Sequence, residues 1–505
     1  MKSGTHKYLK RFVFFLVAVF VLAVLGCEER WGDYYLEPEY SAKDLMNIIK
    51  ENPEFSVFVD YLESFNLDTL FERKQAYTLF IPSNEAFDDI SLTEDQFLRV
   101  MGYHITSSVV LPSQIEEDKK ILTLFGKYSF MEKKEDGLFR DGKKLEHNNP
   151  LYANGTFYTL DEILFPRPNL FEFLSDTCPV LANYITTKDS IAFDPVLSTP
   201  IGFDDEGNTI YDSVFNIVNT FERDYFPVSE EFRTNVATMV VCDQNQYNSA
   251  LDLMAENLGG VFSDYNDIPL DWQNDVFIPY IFEYGMFIGS LDYDEFKFPF
   301  VKNIIGDSIK IDYLNISEES RYECSNGVVY LYEDFEVPLN LYIDTLIFEA
   351  EDLAEAAGSL FAWKEEVKVS DELINPMVVN AQEASEGRYL SVGLPRGSDE
   401  TYWIEFVFPK LFPNTYKFLW RANYRPSGNI SVFFNDEEIG SFDNYYFRFP
   451  IDGNKPTSTG FNQKEWGNIS IEEYGDLRIR FEYASPGAGT SNGINIDYVA
   501  LFPDI

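Results

Sequence analysis

One arrangement occurs twice in this chain and limits what most of it can become. Asn154-Gly-Thr-Phe-Tyr-Thr-Leu-Asp-Glu-Ile-Leu-Phe-Pro166 is an Asn-Gly turn, a β-branched and aromatic run, and a closing proline; Asn326-Gly-Val-Val-Tyr-Leu-Tyr-Glu-Asp-Phe-Glu-Val-Pro338 repeats it. Asn-Gly accepts left-handed backbone and so a tight turn, and the run behind it suits a buried strand. Upstream of each copy lies another apolar run that passes through a polar break into a helix. In the first copy it is Tyr77–Ile81 with Pro82, Ser83 and Asn84; in the second it is Thr234–Cys242, with Asp243 in the place of Pro82. Proline has no N–H for a ladder, and Ser83 or Asn84 can accept from the free amides that open a helix. Recurrence of a whole strand–break–helix…turn–strand unit argues for internal duplication. Helical patterns followed by strand-rich segments give each copy an α+β character.

In the first copy Ser41 opens a helical pattern with Leu45, Ile48 and Ile49 on one face and Ser41 as candidate cap. Thr93–Tyr103 reads as another helix, with Phe97 and Val100 inward. The second copy begins at Asn169, almost without a linker, and carries an insertion from about Asp194 to Val228 rich in Asp, Asn, Gly and Pro. Tyr77–Phe87, Tyr103-His104 and Asn154–Pro166, in that order, resemble the signature motifs of fasciclin-like domains. The resemblance implies adhesion or recognition at cell surfaces, with the Tyr-His pair mostly a packed, hydrogen-bonded core element. In the second copy Tyr280-Ile-Phe-Glu-Tyr284 stands where that pair would be.

Lys7, Lys10 and Arg11 precede the apolar run Phe12–Leu25, which ends at Gly26-Cys27. The run is shorter than the ~20 residues of a spanning helix, and its basic start is that of an export signal. Val24–Cys27 resembles the lipobox of bacterial lipoproteins, which implies a signal peptide over 1–26 and acylation of Cys27 as a membrane anchor. Glu28–Asp33 resembles the acidic export signal of Bacteroidota surface lipoproteins, so 27–40 reads as a tether and the outer membrane, facing outward, as the location. With 84 acidic and 39 basic residues the formal charge is −45, on a chain that is 45% hydrophobic. That composition gives folded domains with acidic surfaces and excludes nucleic acid as a partner. Cys178, Cys242 and Cys324 lack metal-type spacing; Cys242 reads as a buried thiol, and a bridge between Cys178 and Cys324 stays open.

After a bridge at Leu339–Leu346 the pattern changes to short strands: Tyr402–Phe408, Tyr416–Ala422, Ile430–Phe434, Leu477–Phe481 and Ile494–Leu501. Such spacing predicts a β-sandwich, with Trp403 and Trp420 in its core. Ile347–Asp352, Trp403–Phe406 and Gly493–Val499 resemble carbohydrate-binding modules of families 6 and 35, a galactose-binding-like jelly roll. The resemblance implies a structural calcium at Glu349, Glu351 and Asp497, the two glutamates reading as alternate residues on one strand face. It also implies a glycan site made of loop aromatics Tyr389, Phe461 and Trp466 with the amide of Asn492. The sequence holds no nucleophile elbow, phosphate loop or zinc motif. The expectation is a non-enzymatic lipoprotein with fasciclin-like domains at 41–167 and 168–339 and a jelly-roll sandwich at 345–505. It would capture glycan beside a SusC/SusD-type outer-membrane uptake system; the alternative is an adhesin that binds protein through the fasciclin-like domains.

Overall fold

The computed structural model describes residues 43–505 apart from 73, 74, 89, 116–118, 148, 149, 205, 260, 358, 359, 366, 373, 394–400, 424–428, 443–460, 486–493 and 505. Cys27, Ser41 and the tether lie outside the described residues. Among the described residues no helix is long and apolar enough to cross a membrane.

β1 (Tyr77–Pro82) is buried along its whole length between β2 (Ile105–Thr106), antiparallel, and β7 (Gly155–Leu160), parallel. A meander of β3 (Lys119–Leu122), β4 (Tyr128–Lys134), β5 (Gly137–Arg140) and β6 (Lys143–Leu145) packs beside them. Tyr77 lies opposite Gly155, which has φ +143°; a Cβ there would come within 1.9 Å of the Tyr77 carbonyl oxygen, so only glycine fits. The neighbouring Asn154 accepts from Leu45 N at 2.8 Å and donates to Asp44 Oδ2 at 2.8 Å and Phe71 O at 3.2 Å. It thereby pins the start of the helix Leu45–Glu51, whose cap is Asp44 rather than Ser41. Asn84 caps no helix of its own: it accepts from Val57 N and donates to Pro53 O, holding the helix Ser56–Ser64 instead.

Residues 170–342 repeat the arrangement. β10 (Ala237–Val241) lies between β11 (Met286–Ile288), antiparallel, and β15 (Gly327–Tyr332), parallel, with β14 (Ile316–Glu323) outside β15. A small hairpin of β12 (Val301–Lys302) and β13 (Ser308–Ile309) follows β11. Ala237 faces Gly327, where a Cβ would approach its carbonyl oxygen to 2.3 Å. Asn326 accepts from Leu170 N and donates to Val228 O and Glu230 O, as Asn154 does for Leu45, Asp44 and Phe71. Thr78 and Thr238 make matching bonds to the segment after β2 and β11, and Tyr158 and Tyr330 do likewise. The registers equate Cys242 with Pro82, so Asp243 stands where Ser83 stands; it caps the helix Gln244–Asn257 in a box with Gln246. They likewise set Tyr284-Gly285 at the place of Tyr103-His104. The insertion is a long hairpin of β8 (Asp189–Phe203) and β9 (Thr209–Asn219), starting before Asp194. The bridge left open between Cys178 and Cys324 is not formed: Cys178, Cys242 and Cys324 are all free and buried.

The third region sets two antiparallel sheets across one apolar core. One is β16 (Leu346–Glu349), β29 (Tyr498–Pro503), β23 (Asn414–Asn423) and β26 (Phe461–Ile471), in that order. The other is β19 (Val367–Val369), β22 (Tyr402–Leu411), β27 (Gly475–Ser485), β24 (Asn429–Phe434) and β25 (Glu437–Phe442). β20 (Asn375–Asn380), β21 (Arg388–Gly393) and β28 (Ile494–Ile496) form a smaller sheet at one end, next to the pair β17 (Ala354–Ala357) and β18 (Leu360–Trp363). Trp420 meets Phe481 across the core at 4.6 Å and Phe418 meets Phe434 at 4.9 Å. Trp403 is not in that core: alternation sends Tyr402 and Ile404 inward, and Trp403 lies half-buried under the Arg480 guanidinium.

Neighbouring regions meet differently. At the first junction Lys127 pairs with Glu172 and Glu231, Arg167 with Asp141 and Glu323, and Lys120 donates to Ser325 O. At the second, Phe412 from the β22–β23 turn enters an aromatic pocket of Trp272, Phe262 and Tyr342 at 5.0, 5.8 and 6.1 Å. Tyr342, in the expected bridge, belongs to the core of residues 170–342.

His104 is fully buried. Its Nδ1 donates to Val100 O at 2.8 Å and its Nε2 accepts from Leu164 N at 3.1 Å, a pairing that only the neutral ring satisfies. Burial pushes its pKa down to about 3, and Arg140 pushes the same way. The unfolded chain therefore binds a proton that the folded one refuses. Stability is complete above pH ~6.5 and falls on acidification at about 1.4 kcal/mol per pH unit. Denaturant titration of the wild type and His104→Gln between pH 7 and 4 should show this extra slope only in the wild type; equal slopes would mean that His104 is protonated in the fold.

Candidate functional site

β16 ends at Glu349 and passes into a tight turn, Ala350–Leu353, that buries Glu351. The two glutamates are thus not alternate residues of one strand; the turn brings them together. Asp497 sits in the break between β28 and β29, its backbone tied to Ala350 N and Arg421 O. Opposite them the loop before β21 turns back through Glu386 and Gly387, both at positive φ, and presents Ser385. Ser385 Oγ donates to Glu349 Oε1 at 2.7 Å, and Ser385 N donates to Asp497 at 3.0 Å. Arg421, from the end of β23, donates to Asp497 Oδ2 at 2.5 Å and to Glu383 O at 2.9 Å.

Burial drives the electrostatics. It lifts Asp497 to about 7 against the opposing pull of Arg421, and raises Glu349 and Glu351 as well. Glu349 Oε2 and both carboxylate oxygens of Glu351 are buried without a hydrogen-bond donor. Arg388 reaches Glu351 only at 3.8 Å. Buried carboxylate oxygens left without donors are costly, and a hard oxygen-seeking cation is the group that would satisfy them. Asp497 does not share this property, since Arg421 and Ser385 occupy its oxygens. Among the described residues no three Asp, Glu, His or Cys side chains lie close enough to hold a metal together. The three-carboxylate set expected for calcium is therefore not assembled: Glu349 and Glu351 keep oxygens without donors, while Asp497 is held by Arg421 and Ser385.

The aromatic residues expected on loops stand on strands. Tyr389 is on β21 and Phe461 opens β26; their rings meet edge to face at 5.0 Å. Arg421 lies over both Phe461 and Tyr498 at 5.6 Å, and Tyr498 donates to Gln463 at 2.8 Å. Trp466 also falls within β26, at a register break against β23 where Gly467 takes φ +87°. Asn492 lies outside the described residues. The structure thus joins Tyr389 and Phe461 to the acidic cluster through Arg421, a residue that sequence reading did not single out. Its signal was a charge within the mostly apolar run Tyr416–Ala422, a signal it shares with Lys417. A separate cleft of about 890 Å³ opens at the first junction, walled by Leu98, Phe125 and Phe165 with Arg99 and Lys127 at its side.

Residues 53–166 match the Fasciclin domain family. Human periostin is 26% identical over 134 residues, 25% of this chain and 16% of periostin. Transforming growth factor-beta-induced protein ig-h3 of Sus scrofa is 23% identical over 133 residues, 25% of this chain and 20% of that protein. The chain spans a fifth or less of the length of these curated relatives. Among solved structures, a family 35 carbohydrate binding module from Clostridium thermocellum is 16% identical over 32% of this chain and 98% of its own, with a TM-score of 0.20. CBM35 from Paenibacillus barcinonensis is 12% identical over 32% and 99%, also with a TM-score of 0.20.

Calcium at saturating concentration should raise the melting temperature of the sandwich by about 5 °C, since a ligand at 100 times its Kd adds ~2.7 kcal/mol. Glu351→Gln should abolish that shift. Identical melting with calcium and with chelator would remove the ion from the site.

Proposed function

We propose that this chain is a non-enzymatic, lipid-anchored surface protein that holds glycan with the end of its C-terminal sandwich. The observation that carries the reading is the Tyr389–Phe461 pair beside Arg421, Gln463 and Tyr498. An aromatic face covers the apolar side of a pyranose, while a guanidinium, an amide and a phenol supply directional bonds to its hydroxyls. The jelly-roll likeness of residues 345–505 and the calcium at Glu349 and Glu351 belong to the same proposal. So do a second, divergent fasciclin-like domain at 168–339, supported by the matched registers and Asn–helix bonds, and acylation at Cys27 in the outer membrane. The fasciclin-like pair then acts as a stalk that sets the sandwich away from the lipid, next to a SusC/SusD-type uptake complex. A second reading, adhesion to another protein, draws on the apolar cleft beside Tyr103, where Phe125 and Phe165 are about half exposed.

Stacking on one aromatic platform contributes on the order of 1 to 3 kcal/mol, so affinity should be micromolar to millimolar and sensitive to one truncation. Calorimetric titration of the whole chain with plant, host and microbial polysaccharides should find a binder, and Phe461→Ala should weaken it about tenfold with little change in melting. Should no glycan bind, with or without calcium, the glycan reading fails and adhesion through the cleft replaces it.

A further inference from the structure

The ribbon of β8 and β9 exposes side chains that folded surfaces normally cover. Ile191 is 78% exposed, Phe193 40%, Tyr211 37%, Phe215 58% and Ile217 73%. Ile191 lies opposite Ile217 and Phe193 opposite Phe215. Because side chains alternate across a strand, these four share one face with Tyr211, whose ring is 5.2 Å from that of Phe193. The other face carries no aromatic side chain in this register and mixes Ser190, Asp194, Thr199, Asp212 and Asn216 with Ala192, Ile210, Val214 and Val218, with Asn216 donating to Asp194 at 2.5 Å. The ribbon therefore gathers its aromatic side chains on one face. Neither strand pairs with a third among the described residues, and a two-stranded ribbon is marginal in water unless its apolar face is covered.

Charge and area select the cover. From Asp189 to Asn219 the sequence has no lysine or arginine, and Asp204 and Glu206 lie at the turn between the strands. An anionic lipid surface or a nucleic acid would be repelled there. The five side chains expose on the order of 600 Å², so two such faces together exceed the ~1,000 Å² that a specific contact requires. The face is also self-complementary. A two-fold axis near the Phe193–Phe215 pair sets aromatic centre on aromatic centre, with an isoleucine pair toward each end. Antiparallel ribbons keep the two acidic tips apart, whereas parallel ones would bring them together.

We propose that two copies of this chain associate by packing their β8–β9 ribbons face to face and antiparallel, through Ile191, Phe193, Tyr211, Phe215 and Ile217. The proposal does not depend on the glycan reading. Sedimentation velocity of the purified chain over a concentration series should show a monomer–dimer equilibrium that strengthens from 0.05 to ~0.5 M salt, as screening reduces repulsion between two chains of formal charge −45. Phe215→Glu combined with Ile217→Glu should weaken the dimer at least a hundredfold with unchanged circular dichroism, while Thr199→Glu on the other face leaves it intact. As a second arm, a flexible bis-maleimide should join copies through Ser213→Cys, on the aromatic face, and not through Thr199→Cys. A chain that stays monomeric throughout, a dimer indifferent to the double glutamate variant, or equal cross-linking at both positions would each overturn the proposal.

Discussion

The contact of Gly155 with Tyr77, and of Gly327 with Ala237, is the constraint on which the first two thirds of the molecule depend. A parallel pair closes there with no room for a Cβ, and the preceding asparagine uses its carbonyl and its amide to hold the start of a helix far away in sequence. Burying such an amide with one partner missing costs about 1 to 3 kcal/mol. First helix, central strand and last strand are therefore stabilised together. The matched threonine and tyrosine bonds in both units show that the same solution serves two very different sets of side chains.

The two junctions differ in physics. Between the first and second units the contact is ionic, and Lys127 is mostly buried between two glutamates, where a pair is less screened than at an open surface. Between the second unit and the sandwich Phe412 fills a pocket of three rings, beside a Lys410–Asp275 ion pair. Loss of Phe412 would leave a cavity, which no adjustment of salt can offset. The sandwich is therefore tied to the second unit by packing that extends across the segment read as a bridge.

In the sandwich, Arg421 connects two groups of residues that sequence motifs treat separately. Its guanidinium neutralises Asp497 on one side and stands over Phe461 and Tyr498 on the other. A cation beside Glu349 and Glu351 would act on the same network through Ser385, so ion and sugar affinities are coupled if both bind.

Local signals were enough for the α+β pattern, a helix ending at Tyr103, the sandwich strands and the buried state of His104, because turns and apolar periodicity act over a few residues; Thr93, read as part of that helix, is its cap. They failed wherever register or distance decided. Asp243 was misplaced by one residue, Ser41 stood in for Asp44, and Asn84 proved to cap a different helix. Trp403 faces outward because alternation gave the core to its neighbours, and Glu349 and Glu351 converge through a turn and not a strand. Only the tertiary structure could pair Tyr389 with Phe461 and set Arg421 between aromatic rings and acids. Those partners lie on strands that meet through hydrogen bonding between distant segments, and no short-range preference of the chain encodes which edge meets which.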